Sequence, residues 1–229
     1  MRKSVTATVA MLAVGSLALT GCGQKNQSNP NAGKGGGTTS KSAPLQDLNI
    51  KSRDEVKDGG TVRFSIETLP TTWNALHIDG NTVDLSTTIM GFVGANNFDI
   101  AEDGTPKPDT DYLQSYDVQT NGGKQVVTLH LNPKAKWNSG RTIDYTDYQA
   151  TWKANNGANE DFKMASSDGF NQIESVKKGD KDTDVVITYK ATYPDWTATW
   201  SSVMPKEGVG TPETFNNGWK QFKPEWFTG

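Results

Sequence analysis

Residues 124–152 read KQVVTLHLNPKAKWNSGRTIDYTDYQATW and place a strand, a turn and a helix in immediate succession. Val127, Leu129 and Leu131 alternate with polar residues, which is the two-residue period of a half-buried strand. The triplet Asn138-Ser139-Gly140 then carries the small and polar residues of a turn. This order predicts a sheet strand that leads, through a tight connection, into a helix.

The helix of this stretch is predicted to begin after Asp144. The Asp144 side chain can cap the first turn, and Asp147 places a carboxylate at the third helical position, where the exposed N–H groups favour it. One face of the helix carries aromatic side chains at helical spacing, namely Tyr145, Tyr148 and Trp152. We expect this stripe to pack into a core rather than to bind a ligand. We expect Gly157 to end the helix in a left-handed conformation.

Further strands and helices are predicted on both sides of this stretch. Alternating apolar residues predict two more strands, a half-buried one over Thr61–Glu67 and another over Thr183–Lys190. Asn121-Gly122-Gly123 predicts a hairpin turn that joins Tyr116–Val118 to the strand at 124–131. Short helices are predicted at two further places, Ser86–Val93 and the pair Trp196 and Trp200. Interleaved strands and helices with an antiparallel hairpin favour a mixed α/β domain.

The first 22 residues have the order of a secretory signal, which is a basic start, an apolar run and small residues. Arg2-Lys3 is followed by the apolar run Val5–Leu19 and then by Cys22. Leu19-Thr20-Gly21-Cys22 resembles a bacterial lipobox, which implies cleavage before Cys22 and attachment of lipid to that cysteine. The alternative is an ordinary secreted protein that is cut elsewhere and keeps a leftover thiol. The first reading predicts an extracytoplasmic protein anchored to the cell membrane.

The segment from Gly23 to Asp58 is predicted to be a flexible tether, because its polar and glycine-rich composition cannot bury enough surface to fold. The folded part is expected over 59–229. The net charge of -3 and the pI near 5.4 give no electrostatic reason for a nucleic-acid partner. A single cysteine excludes an intramolecular disulfide and a cysteine-based zinc site.

No catalytic or metal-binding pattern stands out in the sequence. His77 and His130 are the only histidines, and we expect them at the surface or at a strand edge, because neither has ligand partners at metal-binding spacing. The run Asp180–Asp184 lacks the glycine and the glutamate of a calcium loop and is expected to be a solvated turn. We therefore expect neither an enzyme nor a cofactor.

Four segments, in this order and spacing, resemble the family 5 extracellular solute-binding proteins of ABC importers, the oligopeptide- and dipeptide-binding group. They are Asp58–Ile66 (DGGTVRFSI), Glu102–Tyr116 (EDGTPKPDTDYLQSY), Leu129–Thr142 (LHLNPKAKWNSGRT) and Asp144–Trp152 (DYTDYQATW). The prolines of Tyr193-Pro194 and Val203–Lys206 fit the region that follows. The resemblance covers the chain from Gly59 onward.

The resemblance implies a periplasmic-binding-protein-like α/β fold of class II, with two lobes, a hinge and an extra subdomain in lobe one. It implies that this chain is the N-terminal portion of lobe one, with the extra subdomain over about 80–205. The implied function is capture of extracellular oligopeptides and their delivery to ABC permease subunits. A lipid anchor favours a Gram-positive cell, although Gram-negative lipoproteins exist. The alternatives are a non-peptide ligand, a surface adhesin or scaffold, and a secreted hydrolase.

Six residues are expected to face the ligand cleft, because they flank the end of the first strand and the loops that approach the cleft in the family. They are Glu67, Trp73, Met90, Phe92, Ser167 and Phe170. Three of them are aromatic residues in loop-like segments, where large side chains often serve binding. Packing in a satellite hydrophobic cluster is the alternative for these aromatic residues.

Overall fold

Short strands and short helices alternate along the part of the chain that the computed structural model describes, which is Asn49 and residues 51–228. The strands are β1 (Ala95–Asn96), β2 (Phe98–Ile100), β3 (Pro106–Pro108), β4 (Leu113–Asn121), β5 (Lys124–Leu131), β6 (Ile173–Lys178), β7 (Asp184–Tyr189) and β8 (Ser202–Val203). The α-helices are α1 (Met90–Val93), α2 (Tyr145–Asn155), α3 (Trp196–Thr199), α4 (Lys206–Val209) and α5 (Pro212–Asn217). A π-helical segment, Asp84–Ile89, leads directly into α1, and 3-10 turns lie at Arg53–Glu55, Phe170–Gln172 and Pro224–Trp226. The mixed α/β class is confirmed.

A four-stranded antiparallel sheet with the order β4-β5-β7-β6 forms the largest sheet of the described region. The predicted hairpin joins β4 and β5, with Asn121 paired to Lys124. Gly122 and Gly123 both have positive φ, 58° and 81°, which is the backbone that a two-residue turn of type I′ requires. The hairpin therefore forms where its turn residues predict it.

The predicted apolar rows of β5 and β7 meet in the first hydrophobic core. Val127 pairs with Ile187 and Leu129 pairs with Val185, and all four side chains are fully buried. Tyr148 of α2 is buried against this core, while Tyr145 and Trp152 pack against it half-buried. The interpretation of the aromatic stripe as a packing face is confirmed.

Helix α2 has the predicted ends. The backbone N–H of Thr146 donates to the Asp144 side chain at 2.8 Å, and the N–H of Asp144 donates to the Asp147 side chain at 3.1 Å. This reciprocal capping box satisfies donors that a helix start otherwise leaves free. Gly157 follows the helix with a φ of 79°, as the sequence predicts.

A second hydrophobic core lies on the other side of α2 and joins the C-terminal helices to the segment around α1. Its buried side chains include Leu85, Met90, Phe215, Trp219 and Phe227. Ala154 of α2 belongs to this second core, whereas Tyr148 of the same helix belongs to the first. Helix α2 is therefore the element that both cores share.

The prediction of a half-buried strand over Thr61–Glu67 is wrong. The segment is not a strand, and Val62 and Phe64 are 77% and 57% exposed. Alternation alone does not make a strand, because the backbone N–H and C=O groups need a partner strand. No described strand pairs with this segment.

The predicted surface position is correct for one histidine and wrong for the other. His130 lies half-buried on the polar side of β5, as expected. His77 is buried, with 4% of its surface exposed, so the surface prediction for it is wrong. Its backbone forms an isolated bridge with Met164, and this long-range contact carries no local sequence signal.

The predicted signal segment, Cys22 and the predicted tether up to residue 48 lie outside the described residues. No helix among the described residues is long and apolar enough to cross a membrane. The domain boundaries predicted from the sequence stay predictions.

Candidate functional site

Exposed aromatic and aliphatic side chains meet on one side of the second core. We call this surface the apolar face, and define it as Phe64, Ile66, Thr88, Ile89, Phe92 and Val93. These residues line a shallow groove of about 260 Å³ and include no charged side chain. The Phe64 and Phe92 ring centroids lie 4.8 Å apart, and the side chains are 57% and 63% exposed. Two exposed rings in contact can accept an apolar group from a ligand or another chain.

Hydrogen bonds hold the extended segment that carries Phe64 against the π-helical segment. The backbone N–H groups of Glu67 and Thr68 both donate to Asp84, at 3.1 and 3.2 Å. Met90, the first residue of α1, is buried in the second core and attaches the helix to it. Phe92, two residues along the same short helix, points outward. The hydrogen bonds to the Asp84 carboxylate and the burial of Met90 therefore hold the two segments that form the apolar face.

The loop that carries Trp73 is ordered by Asn74, which is fully buried. The Asn74 amide donates to the Phe215 carbonyl at 3.0 Å, and its oxygen accepts from the N–H of Leu76 at 3.0 Å. Gly80 closes this loop, since a Cβ there would lie 2.1 Å from the Asn74 carbonyl oxygen. Trp73 itself is half-buried, and its ring lies 4.9 Å from the Phe222 ring, centroid to centroid.

His77 continues this loop as a structural residue. Its Nδ1 atom accepts from the N–H of Asp79 at 3.1 Å, so the neutral ring carries its proton on Nε2. Burial lowers the His77 pKa, although the nearby Asp79 carboxylate opposes the shift. The flanking backbone is tied to the 163–165 segment by two hydrogen bonds of 2.9 Å. The buried Asn74 and His77 organise this loop. The sequence carries no pattern that predicts their burial.

The structure separates the six predicted ligand-facing residues into two groups. Glu67, Met90 and Phe92 lie at or directly beneath the apolar face, and Trp73 packs against the same second core. Phe170 is buried in the first core instead, 5.5 Å from the Trp200 ring between centroids. Ser167, half-buried, lies three residues before it. Phe92 and Phe170 lie in helical turns rather than loops, and ligand contact stays a prediction for all six.

A charged cluster on the polar side of the sheet holds His130 between two aspartates. His130 Nδ1 lies 2.9 Å from Asp184, and Nε2 lies 3.1 Å from Asp117. Both ring nitrogens can donate only when the imidazole is protonated. The hydrogen bonds to Asp184 and then to Asp117 raise the His130 pKa, while burial opposes the shift. The cluster clamps β4, β5 and β7 together.

The His130 cluster predicts a pH dependence of stability. A pKa that is raised on folding stabilises the fold fully below the unfolded value of about 6.5, and that stabilisation is lost as pH rises through the folded pKa. We expect the difference in unfolding free energy between the unmodified chain and His130→Gln to shrink as pH rises from 5.5 to 8.5. Urea unfolding at several pH values measures it.

The comparison with His130→Gln removes the opposite contribution of His77, which is common to both proteins. A difference that stays constant or grows with pH would contradict the charged clamp. Loss of stability that is equal at all pH values would assign His130 a packing role alone.

The described residues contain no group of three or more histidine, cysteine, aspartate or glutamate side chains that could hold a metal ion. Both nitrogens of His130 are engaged by aspartates, and His77 is buried in a loop.

Comparisons with known proteins identify what this fold resembles. No family model matches the chain. The chain is 33% identical over 210 residues to the oligopeptide-binding protein OppA of Mycobacterium tuberculosis (strain H37Rv) and of Mycobacterium bovis, an alignment that covers 88% of this chain. The chain spans 34% of the length of these curated relatives.

Solved structures show the same fold. The periplasmic EDTA-binding protein EppA matches with a TM-score of 0.59 and 23% identity, over 65% of this chain and 28% of that protein. The oligopeptide-binding protein AppA from Bacillus subtilis, in complex with a nonapeptide, matches with a TM-score of 0.53 and 19% identity, over 64% of this chain and 28% of that one. The described region thus has the fold of part of a periplasmic binding protein. Over the aligned region, the chain is similar in sequence to the oligopeptide-binding protein OppA.

Proposed function

We propose that the protein captures extracellular oligopeptides and delivers them to the permease of an ABC importer. The observation that carries this proposal is the 33% identity to OppA over 88% of the chain. The curated relatives are named as binding proteins rather than enzymes. The region described here belongs, in this proposal, to the first of two lobes that close around the peptide.

The proposal assigns part of the peptide site to the apolar face and its border. Phe92 and Phe64 offer exposed rings, Glu67 is tied through its backbone to Asp84, and Trp73 packs against the second core. Peptide-binding proteins commonly hold the ligand backbone by strand-like hydrogen bonds and leave side chains in roomier pockets. No described strand pairs with the segment 61–67, so in this proposal its backbone groups, apart from the Glu67 N–H that donates to Asp84, bind the peptide in this way.

The proposal places the protein on the outer side of the cell membrane. Cys22 would carry the lipid, and a diacylglyceryl group supplies the two chains that stable anchoring takes. A tether over residues 23–58 would span roughly 30–35 Å as a flexible coil. Such an anchor keeps the receptor close to its permease and raises the effective concentration there.

Isothermal titration calorimetry of the native gene product with mixed pentapeptides to nonapeptides tests the proposal. We expect saturable binding, and Phe92→Ser should weaken it about 10- to 100-fold, because burial of a phenylalanine ring contributes about 1.5–3 kcal/mol. Ile100→Ser is the matched control, since Ile100 is 57% exposed on β2 outside the apolar face.

The possible outcomes test the peptide ligand, the role of Phe92 and the lipid anchor separately. Binding of a non-peptide solute with no binding of any peptide would overturn the peptide assignment. Unchanged peptide affinity in Phe92→Ser would remove Phe92 from the site while leaving the function intact. Incorporation of labelled palmitate that is lost in Cys22→Ala tests the anchor.

A further inference from the structure

His77 is a titratable side chain that the fold buries and that the proposed function does not use. The residue is 4% exposed, and its ring lies beside the Phe215 ring of α5, with the centroids 6.0 Å apart. A buried imidazole favours its neutral form, because taking the charged form out of water is costly. The protonation of His77 is therefore linked to its position in the fold.

The neutral ring of His77 holds the backbone turn that follows it. Its Nδ1 atom accepts from the N–H of Asp79 at 3.1 Å. The His77 carbonyl accepts from the N–H groups of Gly80 and Asn81, both at 2.9 Å, and the His77 N–H donates to the Asn74 carbonyl at 3.0 Å. A protonated ring carries hydrogen on both nitrogens and cannot accept. Protonation therefore breaks the bond between Nδ1 and the Asp79 N–H.

The Asp79 carboxylate offers a different partner to the protonated ring. One of its oxygens lies 3.8 Å from the His77 Nδ1 atom, which is too far for a hydrogen bond. A small movement would let the protonated Nδ1 donate to this carboxylate, whose side chain is 69% exposed. The two arrangements exclude each other, because Nδ1 accepts in one and donates in the other. The turn at 77–79 thus has two alternative sets of hydrogen bonds, and a proton selects between them.

The other charged groups near His77 favour the neutral arrangement. Burial has the largest effect and lowers the His77 pKa, and Lys163 and Lys220 lower it further, whereas Asp79 raises it. Lys163 lies on the segment that packs beside the loop, and Lys220 follows α5. A pKa that is lowered on folding stabilises the folded arrangement above the ordinary value of about 6.5, and that stabilisation is lost as pH falls toward the folded pKa.

The turn at His77 is connected to the backbone that carries Trp73. Two hydrogen bonds of 2.9 Å, on either side of His77, attach the loop to residues 163–165. Asn74 follows Trp73 directly, and its carbonyl accepts the His77 N–H. The Asn74 side chain also accepts from the N–H of Leu76 at 3.0 Å. Movement of His77 therefore disturbs the hydrogen bonds that position Trp73.

We propose that His77 is an acid-sensitive latch for the loop 72–82, and that its protonation releases this loop together with the peptide contact of Trp73. The latch rests on the hydrogen bonds of His77, and its effect on peptide release rests on the proposed function. An imidazole of ordinary pKa, about 6.5, is about 97% protonated at pH 5, so opening becomes up to about 30-fold easier than at neutral pH. Peptide would then dissociate more readily in acidic surroundings.

Hydrogen exchange of the native gene product tests the latch without a ligand. His77→Asn is the informative variant, because its side-chain oxygen can accept from the Asp79 N–H but does not titrate. We expect the ratio of exchange rates over 76–82, unmodified protein to His77→Asn, to rise by up to about 30-fold from pH 7.5 to pH 5. The control His130→Gln removes the other histidine and should show the same rise as the unmodified protein.

Asp79→Asn provides a second variant, which keeps the backbone N–H and removes the carboxylate that receives the protonated ring. Its acid-induced exchange should be smaller than that of the unmodified protein. A ratio to His77→Asn that stays constant between the two pH values overturns the latch. An acid effect that is unchanged in Asp79→Asn overturns the exchange of partners at Nδ1.

Calorimetry with the peptides that bind at pH 7.5 measures the effect on the ligand. We expect the affinity of the unmodified protein to fall between pH 7.5 and pH 5 by up to about 30-fold more than that of His77→Asn. An equal fall in the two proteins overturns the coupling of the latch to peptide release. Absence of peptide binding at both pH values would overturn the proposed function instead, and the hydrogen-exchange ratio then decides the latch alone.

Discussion

Replacing Asp147 with alanine is expected to lower the free energy of unfolding by about 3–5 kcal/mol, because it removes one partner of a buried ion pair. Asp147 is fully buried and accepts hydrogen bonds from three elements. One oxygen accepts from Arg141 at 2.6 Å and from the N–H of Lys206 at 2.9 Å. The other accepts from Arg141 at 2.9 Å, from Trp137 Nε1 at 3.1 Å and from the N–H of Asp144 at 3.1 Å.

The cost of this change comes mainly from the donors that it leaves behind. Burial would lower the Arg141 pKa, but hydrogen bonds to Asp147 and Glu207 outweigh burial and raise it. Without Asp147, a partly buried guanidinium and several N–H groups lose their acceptor, and an unsatisfied buried donor costs more than a made hydrogen bond contributes. The start of α2, the turn before it and the start of α4 would loosen together.

Urea unfolding of Asp147→Ala, Glu207→Gln and the unmodified chain measures the effect. Glu207 binds Arg141 at the rim, where its side chain is 44% exposed, so its replacement should cost about 0–1 kcal/mol. A loss below about 1 kcal/mol in Asp147→Ala would mean that water replaces the carboxylate at little cost.

Replacing Trp219 with alanine is expected to destabilise the fold by about 3–5 kcal/mol, the range for deletion of a buried tryptophan. Trp219 is fully buried at the centre of the second core. Its Nε1 donates to the Gly208 carbonyl at 2.8 Å, and its ring lies 4.6 Å from the Trp226 ring between centroids. A Cβ at Gly208 would lie 2.3 Å from the Trp219 ring, so the indole fills its site completely.

The Trp219 change should also disturb the loop that carries Trp73. The Trp219 carbonyl accepts from the N–H of Trp73 at 2.8 Å, so a cavity here releases the loop that presents Trp73. Thermal and urea unfolding measure the stability, with Phe222→Ala as the matched control. Phe222 lies in the same aromatic group but is 48% exposed, and its truncation should cost about 1 kcal/mol or less. Equal losses in the two variants would contradict the central place of Trp219.

Local patterns predicted the elements whose stabilising groups are close in the chain. The hairpin around Gly122 and Gly123 and the capped helix α2 form as expected, because a turn and a capping box involve residues only a few positions apart. The apolar rows of β5 and β7 could be predicted for the same reason, because alternation of apolar and polar residues is a property of a single strand.

Predictions failed where the outcome depends on distant segments. Val62, Phe64 and Ile66 alternate as a strand does, yet no described strand pairs with them. His77 is polar and lies in a loop, but the 163–165 segment buries it. Phe170 was expected in a cleft and instead packs on Trp200, thirty residues further along. In each case the missing information was which part of the chain lies opposite.

The amino-acid sequence by itself determined the α/β class, the hairpin, the capped helix and the resemblance to solute-binding proteins, because periodicity, turn residues and caps act over short distances. Only the tertiary structure decided that Phe64 meets Phe92 on an exposed face and that Asp147 joins three elements. These features depend on which surfaces the fold brings together, and the free energy of such contacts is shared between residues far apart in the chain.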